Sequence, residues 1–395
     1  MPIVSEHDVR AALKRGERKL QVPADAIVTP QALEIADRFG LPVRYGEPPH
    51  PVAPGIDPAR AVARTLVRRS PRWVAPPRRP GLAPTRFTRI AFVGAGMVGT
   101  TAAHLAAMSG MAAELTLIDV VPGLAASVAL DIEHASGITG SRTRAKGGTS
   151  LKLVAGAEAV VVTAGRPRSP GMTRAGLLEI NGRVVRDVGE AIAAHAPNAV
   201  VIVVTNPVDE MTYQLWRASG LPDEQVLGMA GTLDSSRFRN ALAEAAKVSP
   251  ADVSAVALGS HGAEMVPVVS TATIKGRPVR EVLPEDKIQA CVRDAIDGGA
   301  QVVALRKTGS AFIAPAHAVI EVLEAMRGAI ADPVPVSAMV HGEYGLEGVF
   351  LGVRARLGRT GVVEIIEDRL DEAELAALGK AAASIKQRLG IATES

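Results

Sequence analysis

Arg168 and Arg174 bracket a Pro/Gly-rich stretch, Arg168-Ser169-Pro170-Gly171-Met172-Thr173-Arg174, that follows the apolar run Ala159-Val160-Val161-Val162-Thr163-Ala164-Gly165. A guanidinium is planar, permanently charged and able to grip a carboxylate through two parallel hydrogen bonds. Two of them on one loop suggest a site for a small anion with more than one negative group. Downstream, His261 stands in Leu258-Gly259-Ser260-His261-Gly262, and Asp234 and Arg237 in Gly231-Thr232-Leu233-Asp234-Ser235-Ser236-Arg237-Phe238. Imidazole titrates near neutral pH and can take a hydroxyl proton. Taken singly, each residue has a plainer reading. Loop arginines are usually solvated, a lone histidine is more often structural, and Asp234 could merely cap the helix that starts Ser235-Ser236-Arg237.

These side chains need a scaffold, and the chain from Arg89 onward supplies one. Short apolar strands at Ile90–Val93, Leu115–Ile118, Ala159–Thr163 and Val200–Thr205 alternate with helical segments. That alternation implies βαβ units and a parallel sheet covered on both faces. Further strands are expected at Val253–Leu258 and Val266–Thr273, and long helices at Pro284–Gly298, Ala314–Met326 and Glu372–Leu389. The fold class is α/β, a Rossmann-type doubly wound sheet (88–233) followed by an α+β catalytic domain (234–395). No internal repeat is read in the sequence.

Directly after the first strand comes Gly94-Ala95-Gly96-Met97-Val98-Gly99, opening a helix. This is G-x-G-x-x-G where it has meaning. Gly94 allows the tight turn, Gly96 lets a pyrophosphate approach the backbone, and Gly99 lets helix pack on strand. The helix N-terminus adds free N–H groups and a positive dipole. The next strand ends in Leu117-Ile118-Asp119. A carboxylate there hydrogen-bonds both ribose hydroxyls and repels a 2′-phosphate, so NAD is favoured over NADP.

Bulk composition bounds the remainder. The 395 residues are 47% hydrophobic and 22% charged, ordinary for a globular protein, and with 3% aromatics the core must be built from Val, Leu, Ile and Ala. The net charge of +3 is uneven: residues 1–87 hold 15 Lys/Arg against 8 Asp/Glu, a net of +7, which leaves −4 for the remainder. The single cysteine, Cys291, excludes an intrachain disulfide, suits a reducing cytoplasm and reads as a small buried residue in a helix. No membrane span or signal peptide is read, and no metal site is expected.

Thr205-Asn206-Pro207-Val208-Asp209, the Asp234 and His261 segments, and Lys307-Thr308-Gly309-Ser310-Ala311 follow in order. With Arg168 and Arg174, this order resembles the lactate/malate dehydrogenase family, its malate dehydrogenase branch in particular, over about residues 88–390. The joint occurrence outweighs the plainer readings. The resemblance implies NAD-dependent interconversion of malate and oxaloacetate, a tricarboxylic acid cycle reaction, with His261 as general acid/base and Asp234 orienting it. Arg237 would hold the C1 carboxylate, Arg174 would close over the substrate and polarise its carbonyl, and Asn206 would bond the substrate oxygen. Arg168 would pair with the second carboxylate, where lactate enzymes typically have glutamine. The implied cofactor residues are Gly94, Gly96, Met97, Val98, Gly99, Asp119, Asn181, Thr205 and Asn206. A dehydrogenase of another 2-hydroxy acid such as lactate is the alternative. Family members form dimers and tetramers, so a homodimer or homotetramer is expected. Two departures stand out: Ala263-Glu264 replace the family's usual Asp and Thr/Ser after His-Gly, and Phe312-Ile313 replace a frequent Tyr-Tyr.

Ordinary family members lack the first 87 residues. Residues 1–45 read as a small module, with Ser5 and Asp8 starting one helix, Gly16 ending it, an extended piece from Leu20 to Val28, and a second helix from Pro30 to Phe39. Residues 46–87 read as a Pro/Arg-rich linker with a short basic helix, or a transient one, over 57–69. Val22-Pro23-Ala24-Asp25-Ala26-Ile27-Val28-Thr29-Pro30-Gln31-Ala32-Leu33 resembles N-terminal segments of enzymes associated with bacterial microcompartments. That implies a protein partner for this segment, and a cytoplasmic enzyme with a microcompartment as its candidate location. A scaffold with a recruiting module is a reading from another class. DNA binding is disfavoured because aromatic residues do not interleave the basic ones.

Overall fold

The structure, a computed structural model, describes residues 3–15, 19–23, 26–45, 84–166, 174–307 and 309–391. The chain divides into two compact units near Arg78 and Arg79. Arg168, Gly16 and the 57–69 segment lie outside the described residues, and of Arg174 only the backbone is described.

The first unit overturns the expectation of no internal repeat. Strand β1 (Ile3–Val4), helix α1 (Glu6–Lys14) and β2 (Leu20–Val22) are followed by β3 (Ile27–Val28), α2 (Pro30–Arg38) and β4 (Val43–Tyr45). β1 pairs with β3 and β2 with β4, both parallel, with Ile3 opposite Ile27 and Leu20 opposite Val43. Each helix starts at a hydroxyl cap: Ser5 shares a capping box with Asp8, and Thr29 accepts from Ala32 N at 3.2 Å. Each buries small residues between the layers, Val9 and Ala12 in one and Ala32 and Ala36 in the other. The repeat is a repeat of element order and capping rather than of identity, so it is hard to see in the letters. The expected extended piece from Leu20 to Val28 is two strands, one closing each sheet.

In the second unit, six strands are parallel: β5 (Phe87–Val93), β6 (Ala112–Ile118), β7 (Arg144–Gly148), β8 (Ala159–Val162), β9 (Val200–Val203) and β10 (Val226–Gly228). Their spatial order, β7-β6-β5-β8-β9-β10, is the doubly wound 3-2-1-4-5-6 order. All residues of β8 and β9 are buried, as apolar strands covered on both faces require. Helices α3 (Met97–Met108), α4 (Leu124–Thr139), α5 (Arg174–His195) and α6 (Val208–Ser219) make the crossovers. In α3 the buried face is Ala102, Ala103, Ala106 and Ala107, small enough to bring helix and sheet close.

The sheet does not stop at β10. It continues antiparallel through β16 (Val334–His341), β17 (Glu347–Gly358), β12 (Ala257–Gly259) and β13 (Met265–Pro267), with β18 (Gly361–Ile366) also on β17. One core cluster accordingly runs from Phe87 to Ile385. The two expected long strands at 253–258 and 266–273 are each broken: β11 (Val253–Ser254) and β14 (Thr273–Ile274) leave the main sheet to pair with each other, and β15 (Arg277–Pro278) joins them. Helix α7 (Gly231–Ala246) lies between the two halves, and after the short α8 (Val279–Val282) come α9 (Glu285–Arg306), α10 (Ile313–Arg327) and α11 (Glu372–Leu389). Helix α9 runs eight residues beyond its expected end at Gly298, straight through Gly298-Gly299. Cys291 is buried within it.

Candidate active site

The cofactor side is built by backbone. Gly94 has φ +107°, and a Cβ there would stand 2.6 Å from Ala164 N. A Cβ on Gly99 would stand 2.0 Å from the Gly94 carbonyl oxygen. Both glycines are therefore required by packing alone. Gly96, the N-cap of α3, has nothing within 4 Å of such a Cβ. The open space over a helix N-terminus fits a pyrophosphate, whose oxygens the free N–H groups at Met97, Val98 and Gly99 can meet. Asp119, at the end of β6, accepts from Ala95 N at 2.8 Å through Oδ2 and from Val121 N at 3.0 Å through Oδ1. These bonds aim the carboxylate and leave a lone pair on each oxygen for ribose hydroxyls. The residues present thus fit a dinucleotide.

Asn181 and Thr205 brace the same edge from behind. Asn181 accepts from Arg166 N at 2.8 Å and donates to the Arg166 and Asn206 carbonyls at 3.1 and 2.7 Å. It is fully buried, so it ties the start of the arginine loop to Asn206. Thr205 donates to the Ala164 carbonyl at 2.7 Å. Asn206 is exposed and precedes a cis Pro207.

The catalytic side is built by side chains. Helix α7 is seated by Thr232, which donates to the Pro335 carbonyl at 2.7 Å, and by Ser235, which accepts from Ala257 N at 2.8 Å. This fixes Asp234 in the first turn, buried and near the positive end of the helix. His261 comes from the β12–β13 hairpin, where Gly259 and Gly262 adopt φ +82° and +130°. Its Nδ1 lies 2.7 Å from Asp234 Oδ2, and Arg237 Nη1 donates to Asp234 Oδ1 at 3.2 Å. An ionised carboxylate only accepts, so Nδ1 carries the hydrogen and Nε2 keeps its lone pair. Burial disfavours the imidazolium, but the Asp234 carboxylate beside it outweighs this, and the His261 pKa is raised. The missing acid at Ala263 therefore does not leave the imidazole without an anionic partner.

Three contributors were not singled out from the sequence. Asp209, in the first turn of α6, accepts from His261 N at 3.0 Å and Ser260 Oγ at 2.9 Å through Oδ2, and from Ser337 Oγ at 2.7 Å through Oδ1. One buried carboxylate thus holds the hairpin and β16 together. Burial first, and then the charge of Glu210, push its pKa up to about 6 against those hydrogen bonds. Gly298 and Gly299 make room for Arg237: a Cβ on Gly298 would stand 3.2 Å from Arg237 Cδ. A glycine pair inside a helical run was the visible signal. A cavity of about 460 Å³ between α7 and α9 is lined by Arg237, Asn240, Glu244, Lys287 and Asp294 but not by His261. Among the described residues no metal-binding cluster of His, Cys, Asp and Glu occurs, and no helix is long and apolar enough to cross a membrane.

A doubly wound sheet with a glycine cradle at its first turn and an acid closing its second strand defines a dinucleotide-binding protein, here joined to a half that carries a His–Asp pair. The chain belongs to the lactate/malate dehydrogenase family: residues 88–228 match its NAD binding domain and residues 231–394 its alpha/beta C-terminal domain. It is 42% identical over 299 residues to a malate dehydrogenase of Pelodictyon phaeoclathratiforme, covering 76% of this chain and 96% of the relative. The malate dehydrogenase of Picrophilus torridus, solved in its apo form, matches with a TM-score of 0.74 and 36% identity over 77% of this chain and 97% of its own. A lactate dehydrogenase of Cryptosporidium parvum, solved with lactic acid and NAD, matches with a TM-score of 0.74 and 33% identity over 78% and 98%.

Proposed function

We propose that the chain is an NAD-dependent malate dehydrogenase in which His261 is the general acid/base. The observation that carries this is the 2.7 Å contact between His261 Nδ1 and Asp234, on a carboxylate that Arg237 also grips. Bound NAD supplies the acceptor for the hydride that leaves C2 of the hydroxy acid. His261 Nε2 takes the hydroxyl proton as that happens, and Asp234 orients the ring and stabilises the imidazolium. Arg237 holds the C1 carboxylate, Asn206 bonds the substrate oxygen, and Arg174, the first residue of α5, polarises the carbonyl in the reverse direction. Arg168 selects a dicarboxylate by pairing with its second charge. Gly94, Gly96, Met97, Val98, Gly99 and Asp119 seat the cofactor directly, while Asn181 and Thr205 keep its nicotinamide edge in place.

Purified protein should oxidise NADH with oxaloacetate far faster than with pyruvate. The reverse ranking would replace this reading by a lactate-type enzyme. Asp119 should make NADH the better cofactor, and equal efficiency with NADPH would remove it from that role.

For the outer parts of the chain, the reading is a 1–45 recruitment module, a 46–87 linker, an 88–233 cofactor domain and a 234–395 catalytic domain. The enzyme would be a cytoplasmic homodimer or homotetramer, with the 1–45 module binding a protein partner in a bacterial microcompartment. Every cofactor and catalytic residue named lies beyond Arg89, which supports this division. Residues 88–395 alone should be soluble and active, with only the recruitment lost. An inactive truncation would make the extension part of the enzyme, and identical cellular distribution of both forms would end the recruitment reading.

A further inference from the structure

Helix α11 holds the hairpin that carries His261 at both ends. At its start, Asp371 and Glu374 form a capping box, and the buried Glu374 also accepts from Val269 N at 2.8 Å and Ser270 N at 2.9 Å. Near its end, Arg388 spreads one guanidinium over three groups. Its Nε donates to Glu210, its Nη1 to Glu264 at 2.8 Å, and its Nη2 to Ser260 Oγ at 3.3 Å. Segment 260–270 is thereby tied at both ends to one 18-residue helix. Ser260 passes the connection on, since its hydroxyl donates to Asp209, the same oxygen that receives His261 N–H. The polar path from Arg388 to the backbone of His261 is three hydrogen bonds long, through Ser260 and Asp209.

The charges around this path are closely set. Glu210 is fully buried, and Glu264 stands three residues after His261. Asp234 and Asp209 also act on His261 as anions, and Arg237, on the same Asp234 carboxylate, acts as a cation. Family members usually carry their acid one position earlier, where this chain has Ala263. Here that side chain cannot hold the loop, and Glu264 reaches outward to Arg388 instead.

We propose that Arg388 is a positioning residue for His261, fixing the 260–264 loop to α11 and cancelling the charge of Glu210 and Glu264 behind the imidazole. The inference rests on the reading of His261 as the base. Without the guanidinium, Glu210 and Glu264 lose a shared cation, which favours the imidazolium, and the loop loses its fork of three bonds. A lysine at the position keeps the charge but not the fork.

The test is the pH profile of kcat/KM for malate, run beside NADH affinity by fluorescence. For Arg388→Met the acid limb should move up by about half a unit or more, and kcat should fall about tenfold, while NADH affinity stays within about twofold because the cofactor cradle is untouched. Arg388→Lys should keep the limb near its original position with a partial loss of kcat, and adding Glu210→Gln to Arg388→Met should return the limb toward that position. Glu264→Gln, at a partly exposed site that should fold in any case, removes a negative charge and should move the limb down. An unmoved limb in both Arg388→Met and Glu264→Gln would overturn the proposal and leave Arg388 a structural residue. So would a shift that Glu210→Gln fails to reverse. His261→Asn separates the two readings: substantial malate turnover in that variant removes His261 as the base, whatever the Arg388 variants do.

Discussion

Between Phe87 and Asp119 the site is made mainly of backbone, and between Asp209 and Arg388 it is made mainly of side chains. In the first region, Gly94, Gly96 and Gly99 act through what they lack, within six residues of one another. In the second, Asp209, Asp234, Arg237, Ser260, His261 and Arg388 meet from two helices, a hairpin and the end of a third helix. A contiguous backbone motif tolerates change around it but not within it. A web assembled from distant positions can be rewired, as the Glu264–Arg388 pair shows, provided its buried charges stay balanced.

The largest effect should come from the centre of the web. His261→Asn should lower kcat by about 10³-fold in both directions, since general acid–base catalysis contributes on that order, with NADH affinity unchanged. Loss of NADH binding instead would mean that the two regions are not separable. Arg168→Gln should come next. It should cost oxaloacetate turnover roughly 2–4 kcal/mol of transition-state stabilisation while sparing pyruvate, because one charge-assisted pair is lost. Equal loss on both substrates would take Arg168 out of specificity.

The contrast in construction also explains what could be read from letters alone. The strand–glycine–helix unit and Asp119 are local, and β5, β6, β8 and β9 are apolar runs buried on both faces, so they stand out. The antiparallel strands β16, β17 and β18 are not among the expected strands, although β16 buries seven of its eight residues, because Pro335 and Ser337 interrupt its apolar run. The short β11 and β14 were merged with β12 and β13, because the bend between them is set by tertiary pairing. Asp209 stood inside a quoted motif, yet its role depends on partners 51, 52 and 128 residues away. The N-terminal repeat escaped for a related reason, since its two halves share capping and register but little identity.

Two alanine substitutions in the glycine cradle sharpen the backbone side of the comparison. Gly99→Ala pushes a Cβ to 2.0 Å from a carbonyl oxygen and should destabilise the protein by roughly 2–3 kcal/mol. Gly96→Ala meets nothing in the protein and should leave the melting temperature unchanged. Its methyl occupies the space of the pyrophosphate, so NADH should bind about tenfold more weakly. If both variants lost stability equally, Gly96 would be a folding residue rather than an opening kept for ligand.

The smallest expected effect tests whether the web's buried charge has a thermodynamic cost. Asp209 titrates at about 6 in the folded protein because burial and Glu210 oppose its ionisation, whereas an unfolded aspartate titrates near 4, at about 3.9. Between those values the folded state binds the extra proton, so this residue should make the protein less stable as pH rises from about 4 to about 6, with no further change above. Asparagine cannot titrate. Asp209→Asn should therefore flatten the stability profile between about pH 4 and 6, measured by urea unfolding. The variant gives up one carboxylate oxygen among three donors, His261 N–H included, so kcat should fall several-fold while NADH affinity holds. An unchanged pH profile would mean that Asp209 keeps one protonation state throughout this range. The hairpin would then be held by hydrogen bonds whose strength does not vary with pH, and the balance of charge would rest on Glu210, Glu264 and Arg388 alone.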